Sequence, residues 1–181
     1  MRFQDDKLRR EGKIQRPSGV DIVFGSNYVD KISGSAGNDY LAGGAGNDSI
    51  NGGSGADMIS GGKGNDILIG GAGDDRFFFY NTPGITKDTI KDFDNAHETI
   101  WLDDAEFTAL HANDTTPVKL NKDLFSANTL GAARDADDRI IYETDTGKLY
   151  YDEDGFGNNK AVQFATIDSG LRINAGDFFV F

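Results

Sequence analysis

A nine-residue period runs through the first half of this 181-residue chain. Residues 34–78 divide without a slip into GSAGNDYLA, GGAGNDSIN, GGSGADMIS, GGKGNDILI and GGAGDDRFF. Glycine holds positions 1 and 4, aspartate position 6 and an apolar residue position 8. One copy is too small to enclose a core, so it must bury its apolar face against its neighbours in a stack. Stepping back by nine gives GSNYVDKIS, which keeps Gly25, Asp30 and Ile32, and then RPSGVDIVF, which keeps only Asp21 and Val23. The array fades in from its N-terminal side, as terminal repeats do.

Within one copy, GGxGxD suits a turn through angles that glycine tolerates, and it leaves carbonyl oxygens beside one carboxylate. The other three residues extend as a short strand, with position 8 facing inward and positions 7 and 9 outward. The predicted inward set is Leu41, Ile50, Ile59, Leu68 and Phe77. Two turns and two strands make one coil of eighteen residues, so aspartates eighteen apart should stack at about 4.8 Å. Like charges at that spacing repel one another. A few apolar side chains cannot offset both that repulsion and the ordering of a glycine-rich segment that holds 14 of the 24 glycines.

A bound cation answers the difficulty, and the composition restricts its kind. The chain has no cysteine and only two histidines, His97 and His111, which excludes thiolate sites and argues against a histidine zinc site. Thirty acids against 18 bases give a net charge of -12, which disfavours nucleic acid and anionic membrane as partners. Calcium takes about six to eight oxygen ligands in irregular geometry, whereas magnesium is smaller and dehydrates reluctantly. The array is therefore expected to fold with calcium. A flexible glycine-rich linker would share the composition but gives no reason for Asp and an aliphatic residue to stay in register. Phosphate-loop readings fail because no copy continues to GxGxxG and Lys63 is followed by Gly64. The acids at 152–155 have no twelve-residue loop of the EF-hand type and are expected to be solvated.

These repeats resemble the RTX (repeats-in-toxin) calcium-binding nonapeptide family, over residues 25–78. The resemblance implies an all-β fold, a right-handed parallel β-roll (β-helix) followed by a mostly antiparallel β cap. It implies that calcium sits between copies n and n+2, pairing Asp39 with Asp57, Asp57 with Asp75, Asp48 with Asp66 and, less regularly, Asp30 with Asp48. It also implies ligation by turn-glycine carbonyls, at Gly34, Gly37, Gly43, Gly46, Gly52, Gly55, Gly61, Gly64, Gly70 and Gly73. About three to four calcium ions are expected in the roll, with room for one more in the cap.

Shifts in glycine and charge near residue 79 suggest three parts: an N-terminal flank at 1–24, the roll at 25–78 and a C-terminal capping and secretion-signal region at 79–181. Strands are predicted around 88–102, as a hairpin at 139–155 and at 161–167, with a short helix near 120–125. The candidate cap core is Ile90, Phe93, Ile100, Trp101, Leu102, Tyr142, Tyr150, Phe164 and Ile167. This segment resembles the cap behind the β-roll of secreted RTX metalloproteases. In that comparison Asp88, Asp92 and Glu98 fall at carboxylate positions and Asp88 and Asp92 become calcium ligands, with solvated loop acids as the alternative.

The hydrophobic tail Asp177–Phe181 resembles the uncleaved signal of type I secretion substrates. Together with the lack of an N-terminal signal-like or membrane-spanning apolar run, it implies a secreted, extracellular or cell-surface protein that meets the type I secretion machinery. No HExxH, GxSxG or histidine-centred triad is present, so the chain is read as a non-enzymatic calcium-binding module. The alternative is a carbohydrate-binding accessory module or adhesin, in which Trp101 or Tyr150 touches an extracellular polysaccharide.

Overall fold

The computed structural model describes residues 3–5, 12–15, 18–110, 116–157 and 159–181. Its first half runs β1 (Phe3–Asp5), β2 (Gly12–Gln15), β3 (Ile22–Phe24), β4 (Asp30–Ala36), β5 (Tyr40–Ala45), β6 (Ser49–Ser54), β7 (Met58–Lys63), β8 (Ile67–Ala72) and β9 (Arg76–Phe79). The second half runs β10 (Asp88–Ile90), β11 (Thr99–Leu102), β12 (Val118–Lys119), β13 (Phe125–Asn128), β14 (Ile140–Glu143), β15 (Lys148–Tyr151), β16 (Val162–Thr166) and β17 (Phe178–Val180).

Alternate strands stack on opposite sides of a parallel β-solenoid. One sheet is ordered β1-β3-β5-β7-β9-β11-β17-β12 and the other β13-β14-β15-β16-β10-β8-β6-β4-β2. Within the repeats every pairing is parallel with an offset of eighteen residues, as in Leu41 with Ile59 and Ile50 with Leu68. Position 8 fills the interior: Leu41, Ile50, Ile59, Leu68 and Phe77 are all fully buried.

The strands are longer than the expected three residues. β4 to β8 each continue through positions 1 to 3 of the next copy, and ladder pairs such as Gly44 with Gly62 extend there. Position 2 makes this continuation by a bend at positive φ, 103° at Gly44 and 110° at Gly53, where glycine carries no steric cost. Ser35 occupies the same position at φ 78° and is the one non-glycine residue in that region among the described residues.

The stack does not respect the expected boundaries at 25 and 79. On the N-terminal side β1 pairs with β3 and β2 with β4, both in parallel. Val23 and Ile14 extend the inward row, and this row needs only an apolar residue at position 8, not the glycine and aspartate signature. On the C-terminal side β10 lies on β8 and β11 on β9, and β16 and β17 lie on β10 and β11 in turn. Antiparallel pairs close the ends, β12 with β17, β14 with β15 and β15 with β16, while β13 pairs with β14 in parallel.

The hairpin turns over 144–147 as its sequence suggests, and the short helix is a 3-10 turn at Lys122–Leu124. Ile90, Phe93, Ile100, Leu102, Tyr142, Phe164 and Ile167 are buried. Trp101 and Tyr150 are only half-buried, because each alternates with inward neighbours along its strand and so points outward. Among the described residues no helix is long and apolar enough to cross a membrane.

Candidate metal centre

The position-6 aspartates form two ladders, one along each edge of the roll. Along the first, the amide of Asp21 donates to Asp39 Oδ1, that of Asp39 to Asp57 Oδ1 and that of Asp57 to Asp75 Oδ1, each at 2.8 Å. Along the second, Asp30 donates to Asp48 at 2.8 Å, Asp48 to Asp66 at 2.7 Å and Asp66 to Asp88 at 3.0 Å. Each carboxylate thus spends one oxygen on the backbone of the copy two before it. The hydrogen-bonded link between n and n+2 runs from amide to carboxylate.

The second oxygen is left over. Oδ2 of Asp39, Asp48, Asp57, Asp66 and Asp75 is buried with no hydrogen-bond partner, a costly arrangement for an ionised group. Asp30 differs, because its Oδ2 accepts from the Ser26 amide at 2.7 Å and the Ser26 hydroxyl at 2.8 Å. Ser26 stands where the full copies have their second glycine, so the faded copy satisfies its own carboxylate.

The position-1 glycines show what the leftover oxygens face. A Cβ on Gly34 would meet Asp39 Oδ2 and, at 2.6 Å, the Gly52 carbonyl. On Gly43 it would meet Asp48 Oδ2 and the Gly61 carbonyl at 2.5 Å, and on Gly52 it would meet Asp57 Oδ2 and the Gly70 carbonyl at 2.7 Å. Each is a cradle of one carboxylate and one carbonyl from copies n and n+2. The position-4 glycines stack as closely: a Cβ on Gly55, Gly64 or Gly73 would strike the carbonyl of Gly37, Gly46 or Gly55. Among the described residues no three His, Cys, Asp or Glu side chains converge as a metal-binding group. A cation here must therefore take main-chain oxygens as well, a donor set that suits calcium.

The cap acids join the ladders rather than lying in solvent. Asp88 is 3% and Glu98 2% exposed. Asp88 serves as the acceptor for Asp66. Both oxygens of Asp92 accept amides, from Gly70 at 3.0 Å and Gly71 at 2.9 Å. The pattern that reveals this is present in the sequence. Asp88-Thr89-Ile90 and Glu98-Thr99-Ile100 repeat positions 6 to 8 of the nonapeptide, with Ile90 and Ile100 inward, but longer turns take them out of phase. Asp152 also departs from expectation, being 4% exposed. His97 pairs with Asp74 at 2.9 Å on the surface, and His111 lies outside the described residues. Trp101 is held between Arg76, 5.3 Å from its ring, and Phe179, stacked at 4.9 Å. Tyr150 donates to Glu143 at 3.2 Å. Both aromatics proposed for a polysaccharide are thus engaged by neighbours in the chain.

Burial pushes the Asp48 and Asp57 carboxyls up to about 6, and Asp88 and Glu98 up to about 8. The folded state therefore holds protons that the unfolded chain releases at lower pH, so without a cation the stability falls as pH rises from about 4 to 8. In metal-free buffer the β signal in circular dichroism should accordingly be larger near pH 5 than near pH 8. A larger signal at pH 8 would contradict this.

Comparison with known proteins agrees with the ladder. A family model described as the RTX calcium-binding nonapeptide repeat (4 copies) matches residues 18–50 and 51–79. Among solved structures, the chain is similar to the solution structure of the AlgE6R3 subunit from the Azotobacter vinelandii mannuronan C5-epimerase. That similarity has 22% identity and a TM-score of 0.36, covering 89% of this chain and 78% of that one. No curated protein sequence matches significantly. The period and the two ladders agree with that match, and residues 18–79 carry RTX calcium-binding nonapeptide repeats.

Proposed function

We propose that this protein is a calcium-dependent folding module of an exported protein. One observation carries the reading: five buried aspartate oxygens in register, each without a hydrogen-bond partner and most of them beside a carbonyl of the copy two further on. Calcium held there by Asp39, Asp48, Asp57, Asp66 and Asp75 with the turn carbonyls would neutralise the charge that destabilises the stack. A ligand bound only by the folded state stabilises it by about 2.7 kcal/mol per site at a hundred times its dissociation constant. Extracellular fluid is rich in calcium and the cytosol poor in it, so such a chain stays unfolded until exported. The tail at Asp177–Phe181 is folded into the stack through β17, with Phe178 and Val180 buried, and is fully open to a type I export machine only in the unfolded chain. In this reading the chain binds and folds and does no chemistry itself.

Circular dichroism on the full chain tests it. At neutral pH the protein in chelator should be largely unstructured. Calcium near millimolar levels should induce β-structure, and magnesium at the same level should not. A fully structured spectrum in excess chelator at neutral pH would sink the proposal.

A further inference from the structure

We infer that Asp75 and Glu98 form a terminal divalent-cation site, distinct in make-up from the cradles inside the roll. The inference rests on the calcium reading above. At Gly34, Gly43 and Gly52 the leftover aspartate oxygen faces a glycine carbonyl supplied by the copy two further on. Gly70 opens the last copy, so no later GGxGxD turn supplies that carbonyl. Glu98 Oε1 stands in its place. It and Asp75 Oδ2 both lie within contact of the single point that a Cβ on Gly70 would occupy. Asp75 is fully buried and its Oδ2 has no hydrogen-bond partner. Glu98 is buried as well, and its Oε2 accepts the Asp94 amide at 3.0 Å, which turns Oε1 toward Asp75.

The register explains why a glutamate works here. Thr99 donates to the Asp75 carbonyl at 3.0 Å and Ile100 pairs with Phe77, so Glu98 is the position-6 residue of the next, degenerate turn. The extra methylene of glutamate lets its carboxylate reach back over the step that a carbonyl bridges elsewhere. Asp92 acts on the backbone instead. With one oxygen on each amide of Gly70 and Gly71, it clamps the turn that presents the site. Two carboxylates in place of one carboxylate and one carbonyl give this end more negative charge than any interior cradle, and charge count is a main determinant of calcium affinity.

The single tryptophan, Trp101, stands three residues beyond Glu98 and serves as an antenna for terbium, a calcium-sized luminescent probe. Tryptophan-excited terbium emission and calorimetric calcium titration are compared in the full chain and in Glu98→Gln. The variant should lose the tryptophan-excited emission and about one bound ion, while the interior sites still fill with calcium. Unchanged emission and stoichiometry would overturn the end site and leave the roll reading intact. An unmodified chain that binds neither ion would overturn both. Should Glu98→Gln not fold at any calcium concentration, Glu98→Asp decides. It keeps the charge and shortens the reach, so terbium should bind about tenfold more weakly at the tryptophan-reported site. Unmodified affinity there would refute the assignment.

Discussion

A chain cut after residue 78 should fail to form the stack at calcium concentrations that fold the full protein. Leu68 and Phe77 are fully buried in the intact molecule, and what covers them comes from beyond the cut. β10 pairs along β8, β11 pairs along β9 from Arg76 to Phe79, and Phe93 packs on Phe77 with ring centroids 6.2 Å apart. The truncated coil would expose both side chains, at roughly 1.5–3 kcal/mol each, and would present two unpaired strand edges to water. It would also lose Asp88, Asp92 and Glu98 from the ends of the ladders. A stacked array is stable through its neighbour contacts, so the loss weakens each copy in turn. With a total stability of about 5–15 kcal/mol in a typical domain, damage on this scale is decisive. Calcium-induced circular dichroism of the 1–78 fragment measures it. Folding at the same calcium concentration as the whole chain would show that residues 79–181 are not a cap, and their role would then lie in export or binding.

Replacing Gly52 by alanine should be as damaging as any single change in the roll. The backbone conformation at Gly52 is not the obstacle, since its φ is not in the positive range that excludes side chains. Space is. The new methyl would collide with Asp57 Oδ2 and lie 2.7 Å from the Gly70 carbonyl and 2.9 Å from Asp57 Cγ. The carbonyl belongs to a strand fixed on both sides, so it cannot move without breaking the ladder. Overpacking of this kind costs about 1–3 kcal/mol, and the displaced carboxylate takes the proposed calcium cradle with it. The midpoint of the calcium titration should rise at least about tenfold. Ser54→Ala, at an exposed position two residues along, should leave it unchanged. A normal midpoint for Gly52→Ala would mean that the closely packed turn is not where calcium binds.

The period alone determined the solenoid, its inward row and the two edges on which the aspartates fall. Glycine at positions 1 and 4, Asp at 6 and an aliphatic residue at 8 are local requirements of one turn and one short strand, and repetition at nine residues leaves one way to stack them. Leu41 to Phe77 lie where that logic puts them. Three things were decided only by the tertiary structure. The first is how each aspartate divides its oxygens: in the ladder Oδ1 goes to the amide two copies back, and Oδ2 is left without a hydrogen-bond partner at the turn of its own copy. A side chain with two acceptors can satisfy more than one arrangement, and only the offset between stacked strands selects one.

The second is the extent of the stack. β1 to β3 and β10, β11, β16 and β17 continue it without the full GGxGxD signature, because a strand joins a parallel sheet through its backbone and one apolar side chain, which leaves little trace in composition. The third is the burial of Asp88 and Glu98, whose carboxylates the sequence left open between ligands and solvated loop acids, and of Asp152, which looks solvated in the chain. Their turns are longer than the repeat, so linear spacing hides the register. That register returns only when Ile90 packs beneath the inward row on β8 and Ile100 beneath that on β9, because burial of an apolar side chain acts through space and is indifferent to the length of the loop that delivers it.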